Sequence, residues 1–340
     1  MNRIGLDAHS ATFTMAVMNE AGKVTRCLSR PTSAENLIEL VSAVPGPKEL
    51  IVEESAVAQW VKETLEPYVD ALIVCDPRQN RWIAKAEFND DRTSAIKLAD
   101  LRRGGYIKEI RHLDGDQIPL RQSFLHYADL NKQITRFKSK LKATFRQAGI
   151  DATGDGIYEE ESHREWLARL DSWPALRRQA EHLFVLVDEI EQMKQESLRG
   201  MVKAARKRPG YDLLVGMPGA GPVVGCGYVA LIGTPHRFSR RNKLWKYGGY
   251  SKKHRDSDGR IYQDGSSRSG NRVLKWVVGQ HFIAAVHRTQ KPNVFKSRYE
   301  RLCRQGDERV ARRVVCRSLL SVARAIWMKG EPYREMPLKK

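Results

Sequence analysis

Paired cysteines are missing from this sequence. Its five cysteines, Cys27, Cys75, Cys226, Cys303 and Cys316, are odd in number, far apart, and form no CxxC pair. Most stand in apolar stretches. They read as reduced, buried thiols of a cytosolic protein, which excludes a disulfide frame and a cysteine-ligated zinc site. Long apolar runs are missing as well. None approaches membrane-spanning length, and no secretion signal opens the chain, so the expectation is a soluble intracellular protein with no membrane partner. Internal repeats and long low-complexity tracts are absent. Acidic charge is scarce: 40 Asp and Glu stand against 59 Lys and Arg, a formal net charge of +19 over 340 residues. Such an excess points to a polyanionic partner, nucleic acid before membrane. The bases recur through the C-terminal half, in "RKR" at 206–208, "RFSRRNK" at 237–243 and "RRVVCR" at 312–317. That spread suits a surface that tracks a phosphate backbone.

What is present begins with strands. "RIGLDAH" is short, apolar and ends on an acid, and "TFTMAVMNEAGKVTRCLS" alternates and turns at "NEAGK". "KELIVEE" at 48–54 and "ALIVCDP" at 71–77 read as two more strands, with helical patterns near 33–43 and 56–66. A hairpin followed by strand–helix alternation predicts a mixed α/β sheet. A helix is predicted from "DDRTSAIKLADLRRGG", stopped by Gly104 and Gly105. From 117 to 205 no strand is convincing. Phe124, Tyr127, Leu130, Ile134, Phe137, Leu141 and Phe145 recur at helical spacing, as do Leu176, Leu183, Leu186, Ile190, Met193 and Met201. Two long helices joined by a polar turn form a helical hairpin, either a coiled coil for self-association or a pair packed within the chain. "KRPGYDLL" marks a boundary near 208. The predicted regions are 1–112, 113–207 and 208–335.

Three constellations could carry chemistry. Acids end strands at Asp7 and at Glu53 and Glu54, and Asp91 opens a helix. Neighbouring strands can bring such ends together, and clustered carboxylates suit Mg²⁺ or Mn²⁺, as in the two-ion phosphodiester chemistry of ribonuclease-H-like nucleases. Taken singly, each acid is an ordinary strand end or helix cap. "GMPGAGPVVGCGYVALIG" at 216–233 has glycines at 219, 221 and 225, one residue too wide for GxGxxG, and no Lys-Ser/Thr follows. It reads as a hairpin between two helices whose glycines, Gly219 and Gly221, let backbone amides approach a phosphate, or as a tight packing turn. "GGYSKKHRDSDGRIYQDGSSRSGNR" at 248–272 is polar and basic. A serine there could be a nucleophile beside cations that stabilise phosphate charge. Arg237, Arg240, Arg241, Lys243, Lys252, Lys253 and Arg268 are the candidate nucleic-acid contacts.

"RIGLDAHSATFTMAVMNEAGKV", "IVEESAVAQW", "WIAKAEFNDDRTSAIKLADLRRGGYIKEI" and "HYADLNKQITRFKSKLKATFRQAGI" together resemble the N-terminal half of insertion-sequence-110-type transposases. "LLVGMPGAGPVVGCGYVALIGTPHRFSRRNKLWKYGGY" and "SRSGNRVLKWVV" resemble their C-terminal transposase domain, so the likeness runs over roughly 1–330. The resemblance implies a ribonuclease-H-like (RuvC-like) domain with an Asp-Glu-Asp-Asp set, a helical coiled-coil middle, and a mostly helical C-terminal domain with a nucleophilic serine. It implies a bacterial or archaeal, nucleoid-associated DNA recombinase, a dimer or tetramer, guided by a structured non-coding bridge RNA. Asp7 matches the first acid, Glu54 the second with Glu53 as alternative, and Asp91 the third. The family's fourth acid is Ser94 here. The serine falls in "RDSDGR", at Ser257, although Asp258 intervenes where the family has glycine; Ser251, Ser266 and Ser267 stay open. Ser94 is then expected to ligate through water or to support the ligands. Two other readings use the same residues: a metal-dependent nuclease or junction resolvase, and a degenerate descendant that only binds nucleic acid.

Overall fold

The computed structural model describes residues 1–76, 90–110, 115, 117–257, 260–266 and 270–335, with backbone alone between 252 and 266. Asp258, Gly259, Ser267 and Arg268 lie outside the described residues. The chain forms two compact units, Met1–Leu113 and Asp114–Lys340. The helical stretch and the segment from 208, read from the sequence as separate regions, fall together in the second.

The first unit is built on β1 (Asn2–Ala8), β2 (Thr12–Met18), β3 (Val24–Pro31), β4 (Lys48–Glu53) and β5 (Ala71–Cys75), in the order β3-β2-β1-β4-β5. β1, β2 and β3 pair antiparallel, while β4 lies parallel to β1 and β5 parallel to β4. This is a mixed sheet in the order that the resemblance to a ribonuclease-H-like domain implies; β1, β2, β4 and β5 were legible as short apolar runs, and β3, polar and largely exposed, as the return arm of the hairpin. Strand alternation sorts the side chains onto two faces. Ile4, Leu6, Phe13, Met15, Val17, Leu50 and Val52 point to one face and share a core with α1 (Ala34–Ser42) and α2 (Ala58–Leu65). Gly5, Asp7 and Ile51 point to the other, which α3 (Asp91–Arg103) covers through Ala95, Leu98 and Ala99.

Gly5 sets how close α3 comes. A Cβ there would stand 1.9 Å from the Ala95 carbonyl oxygen, so only glycine allows this approach. The far end of α3 is clamped to β4. Arg102 donates through Nε and a terminal nitrogen to the two Glu49 carboxylate oxygens at 3.1 and 2.9 Å. That charged pair holds the Glu49 carboxyl below the usual carboxylate range.

The second unit starts with α4 (Gln117–Gln147), followed by α5 (His163–Ala168) and α6 (Pro174–Ala205). α4 and α6 pack on each other. At one end they enclose Leu141, Phe145, Ile157, Leu170, Ala180, Leu183 and Phe184. At the other end Leu120, Phe124, Tyr127, Met201 and Ala205 enter the core of the C-terminal helices. The apolar stripe read along α6 is corrected in part. Leu183 and Met201 are buried, but Leu186 and Met193 are exposed, and Phe184 and Val187 take the inward positions. At 100° per residue Leu186 and Met193 stand about 60° and 80° round the helix from Leu183 and Met201, on the side away from Val187 and Phe184, and so fall off the contact face.

The remaining elements are α7 (Tyr211–Val215), α8 (Pro222–Ile232), α9 (Arg241–Tyr247), β6 (Lys252–Ser257), β7 (Arg260–Ser266), α10 (Arg272–Ile283), a π-helical turn (Ala284–Arg288), α11 (Val294–Gln305) and α12 (Glu308–Lys329). Helix α8 is buried on every side from Val224 to Ile232, as an all-apolar helix must be. Its Gly225 and Gly227 are wedged against Val215 and against Val277 and Phe124. All five cysteines are free thiols, and burial pushes Cys226 up to about 12 and Cys316 up to about 11, so both are inert at neutral pH. No described helix is long and apolar enough to cross a membrane.

Candidate functional site

Gly5 packs on Ala95. Two residues further along β1, about 6.6 Å on, stands Asp7. Four residues back along α3, about 6 Å, stands Asp91. The helix runs against the strand direction, so one close contact delivers both carboxylates to the same edge. Asp7, His9 and Asp91 each offer a ligand atom there, all within 4.8 Å of one another. His9 Nε2 lies 3.3 Å from Asp7 Oδ1 and 4.0 Å from Asp91 Oδ1. Burial raises the Asp7 carboxyl above its ordinary range; the His9 charge opposes this and the Asp91 charge adds to it. Two like charges this close, one of them half-buried, are costly unless a cation joins them.

The predicted acids fare differently. Asp7 and Asp91 converge. Glu54 lies just past the end of β4 and is outside that trio, its amide donating to the Cys75 carbonyl at 3.0 Å. Glu53, the last residue of β4, is by alternation on the Ile51 face, which is also the Asp7 face. Asp90 is spent as a cap: its Oδ1 accepts from the Thr93 amide at 2.6 Å, which closes the first turn of α3, and hydrogen bonds from the Thr93 side chain and amide pull the Asp90 carboxyl down. Ser94 is half-buried on the first turn of α3, one step short of Ala95. His9 was missed. The available signal was Asp-x-His at a strand end, since residues two apart on a strand point the same way. As a donor set, two carboxylates plus water suit a hard divalent ion such as Mg²⁺.

In the second unit the glycine turn between α7 and α8 divides. Gly219 has φ 76° and lies against the backbone of Ala284 and Ala285, where a Cβ would come within 2.4 Å. Its freedom serves helix packing. Gly221 is exposed with open space about it, ahead of Pro222 at the start of α8. Arg240, Arg241 and Lys243 are exposed at the start of α9. Arg237 is half-buried, its guanidinium 4.7 Å from the Tyr247 ring centre. Other bases turn out to be braces: Arg324 donates to the Phe238 carbonyl at 2.7 Å, and Arg317 to that of Tyr250 at 2.7 Å. Lys252 and Lys253 open β6 opposite Ser266 and Gly265. Ser257 closes β6, paired with Arg260 across the hairpin end, one residue past a register shift between Arg255 and Asp256.

No curated protein matches the sequence. Among solved structures, Thermus thermophilus RuvC in complex with a Holliday junction substrate matches with 13% identity and a TM-score of 0.27, over 32% of this chain and 99% of that one. A second Thermus thermophilus RuvC structure matches with 16% identity and a TM-score of 0.26, over 32% and 100%. Residues 211–300, from α7 to the middle of α11, match the transposase IS116/IS110/IS902 family. That match makes this stretch similar to a domain of a transposase family.

Proposed function

We propose that this protein is a DNA transposase that cuts and rejoins strands under the direction of a structured non-coding RNA. The observation that carries the reading is the pairing of a transposase-family segment, which contains Ser257, with carboxylates Asp7 and Asp91 converging at the end of β1. Ser257 Oγ attacks a DNA phosphorus. The Oγ–P bond forms, the bond to a deoxyribose oxygen breaks, and that oxygen takes up a proton. Attack on the phosphoserine by a hydroxyl of another strand reverses these bonds and rejoins the DNA. Asp7, Asp91 and Glu54 or Glu53 would hold Mg²⁺ or Mn²⁺, which supplies charge stabilisation to a reacting phosphodiester. Ser94 brings no charge and contributes through water. Gly221, Arg240, Arg241 and Lys243, with Lys252, Lys253 and Arg268, form the nucleic-acid contacts. Apolar Val185, Leu186 and Met193, exposed on α6, favour a homo-oligomer.

The test is purification from the native host, sequencing of the RNA that comes with the protein, and strand exchange on the DNA sites that this RNA specifies. One discrete structured RNA, with exchange lost in Ser257→Ala, is the expected result. Cleavage that survives Ser257→Ala but not Asp91→Ala would instead establish a metal-dependent nuclease. Binding without any cleavage would establish an inert descendant.

A further inference from the structure

We propose that His9 is the third ligand of the ion at Asp7 and Asp91, bound through Nε2, and that the site therefore prefers a first-row transition ion over Mg²⁺. The inference rests on the metal-site reading above and goes beyond it in naming a ligand and an ion class.

The placement of His9 is built into the sheet. Its amide donates to the Thr12 carbonyl at 3.0 Å, and its own carbonyl accepts from Thr32 Oγ1 at 2.8 Å. These two bonds tie the turn after β1 to the starts of β2 and of the segment leading to α1. The His9 backbone is thereby fixed directly after the strand that carries Asp7, and its imidazole lies beside Asp91 at the N-terminus of α3. Nε2 faces both carboxylates, at 3.3 and 4.0 Å. The three ligand atoms lie on three different side chains around one point rather than along a line, all within 4.8 Å. His9 is 59% exposed in its side chain and Asp91 55%, so an ion can enter from solvent.

The chemistry of this donor set is selective. Two carboxylates neutralise a divalent ion, and a neutral imidazole adds a ligand without adding charge. Mg²⁺ takes oxygen and keeps its waters, and gains little from a ring nitrogen. Mn²⁺, Co²⁺ and their neighbours accept imidazole readily, with affinity rising along the series. Ser94, on the same helical turn as Asp91, offers no competing charge. A different role for His9 is a simple ion pair with Asp7, which predicts no ion preference.

Ion binding to the full-length protein separates the two. Co²⁺ and Mg²⁺ are titrated by calorimetry, with the visible absorption of Co²⁺ as a second readout of nitrogen ligation. The variants are His9→Ala, His9→Gln and Asp7→Asn, each checked for folding by circular dichroism. Wild type is expected to bind Co²⁺ at least about tenfold more tightly than Mg²⁺. Both His9 variants should lose about tenfold or more in Co²⁺ affinity, with a shifted absorption band and a Mg²⁺ affinity changed by less than about threefold. Unchanged Co²⁺ binding in the His9 variants, with binding lost in Asp7→Asn, would overturn the role of His9 and leave the carboxylate site standing. Absence of binding by wild type, or equal binding by Asp7→Asn, would overturn the metal site itself and the proposal with it.

Discussion

Two histidines in this chain show opposite uses of the same side chain. His9 is mostly exposed, on a turn at the end of the sheet, and faces two carboxylates that have no covalent or sequential reason to meet. His281 is fully buried in the second unit. Its Nε2 lies 3.0 Å from the Pro218 carbonyl, which can only accept, so that nitrogen carries the proton. Nδ1 then accepts from the Tyr228 hydroxyl at 2.9 Å. The ring is neutral and both nitrogens are satisfied. Burial pushes the His281 pKa down to about 4. A closed network of this kind fixes the turn that leads into α8. An open cluster of charges at the rim of a sheet is instead poised for something that arrives from solution. The difference lies in whether the polar atoms have found all their partners within the fold.

The comparison can be broken at several points. The largest effect belongs to His281 and acid. Because its folded pKa lies below the ordinary histidine value, its contribution is fully present above about pH 6.5 and is lost as pH falls toward about 4, amounting to roughly 3 kcal/mol. Urea unfolding at a series of pH values should show this slope in wild type and a shallower one in His281→Gln. Equal slopes would mean that the buried ring is not the responsible group.

Next in size is Gly5→Ala, which forces a methyl into the Ala95 carbonyl. It should cost about 1–3 kcal/mol in unfolding free energy, as overpacking does. It should also weaken Co²⁺ or Mn²⁺ binding, since it moves α3 and Asp91 away from Asp7. Destabilisation with undiminished ion binding would show that the carboxylates do not need this contact to meet.

The smallest effect sharpens the distinction between adjacent acids. Asp90→Ala removes the cap on α3 and should cost about 1 kcal/mol, with ion affinity retained. Asp91→Ala should do the reverse, with little change in stability and loss of ion binding. If both variants lost the ion equally, capping rather than ligation would be the main job of the pair.

Much of the first unit was legible from local pattern. Four of the five strands are short apolar runs, the hairpin that brings in β3 turns at Asn19–Lys23, and Asp90 with Asp91 opens a helix that ends at its glycines. The same local logic misread part of α6, where Leu186 and Met193 have the spacing of buried residues but lie outside the contact face. It also left the glycines of 216–233 ambiguous. Gly219 faces a backbone 66 residues further on, at Ala285, and no local pattern announces that. Arg317, in sequence part of a basic run, braces a loop by donating to a carbonyl, as does Arg324 further along the same helix.

By itself the sequence determined the strands and long helices, the excess of positive charge, the free cysteines and the resemblance to a transposase family. Each of these is written in neighbouring residues or in composition. Tertiary structure alone decided which polar groups meet. Asp7 and His9 stand more than eighty residues from Asp91, and they come together because one glycine in β1 lets a helix settle on the sheet. A contact of that kind depends on the shape of two surfaces, and shape is not a property of either segment alone.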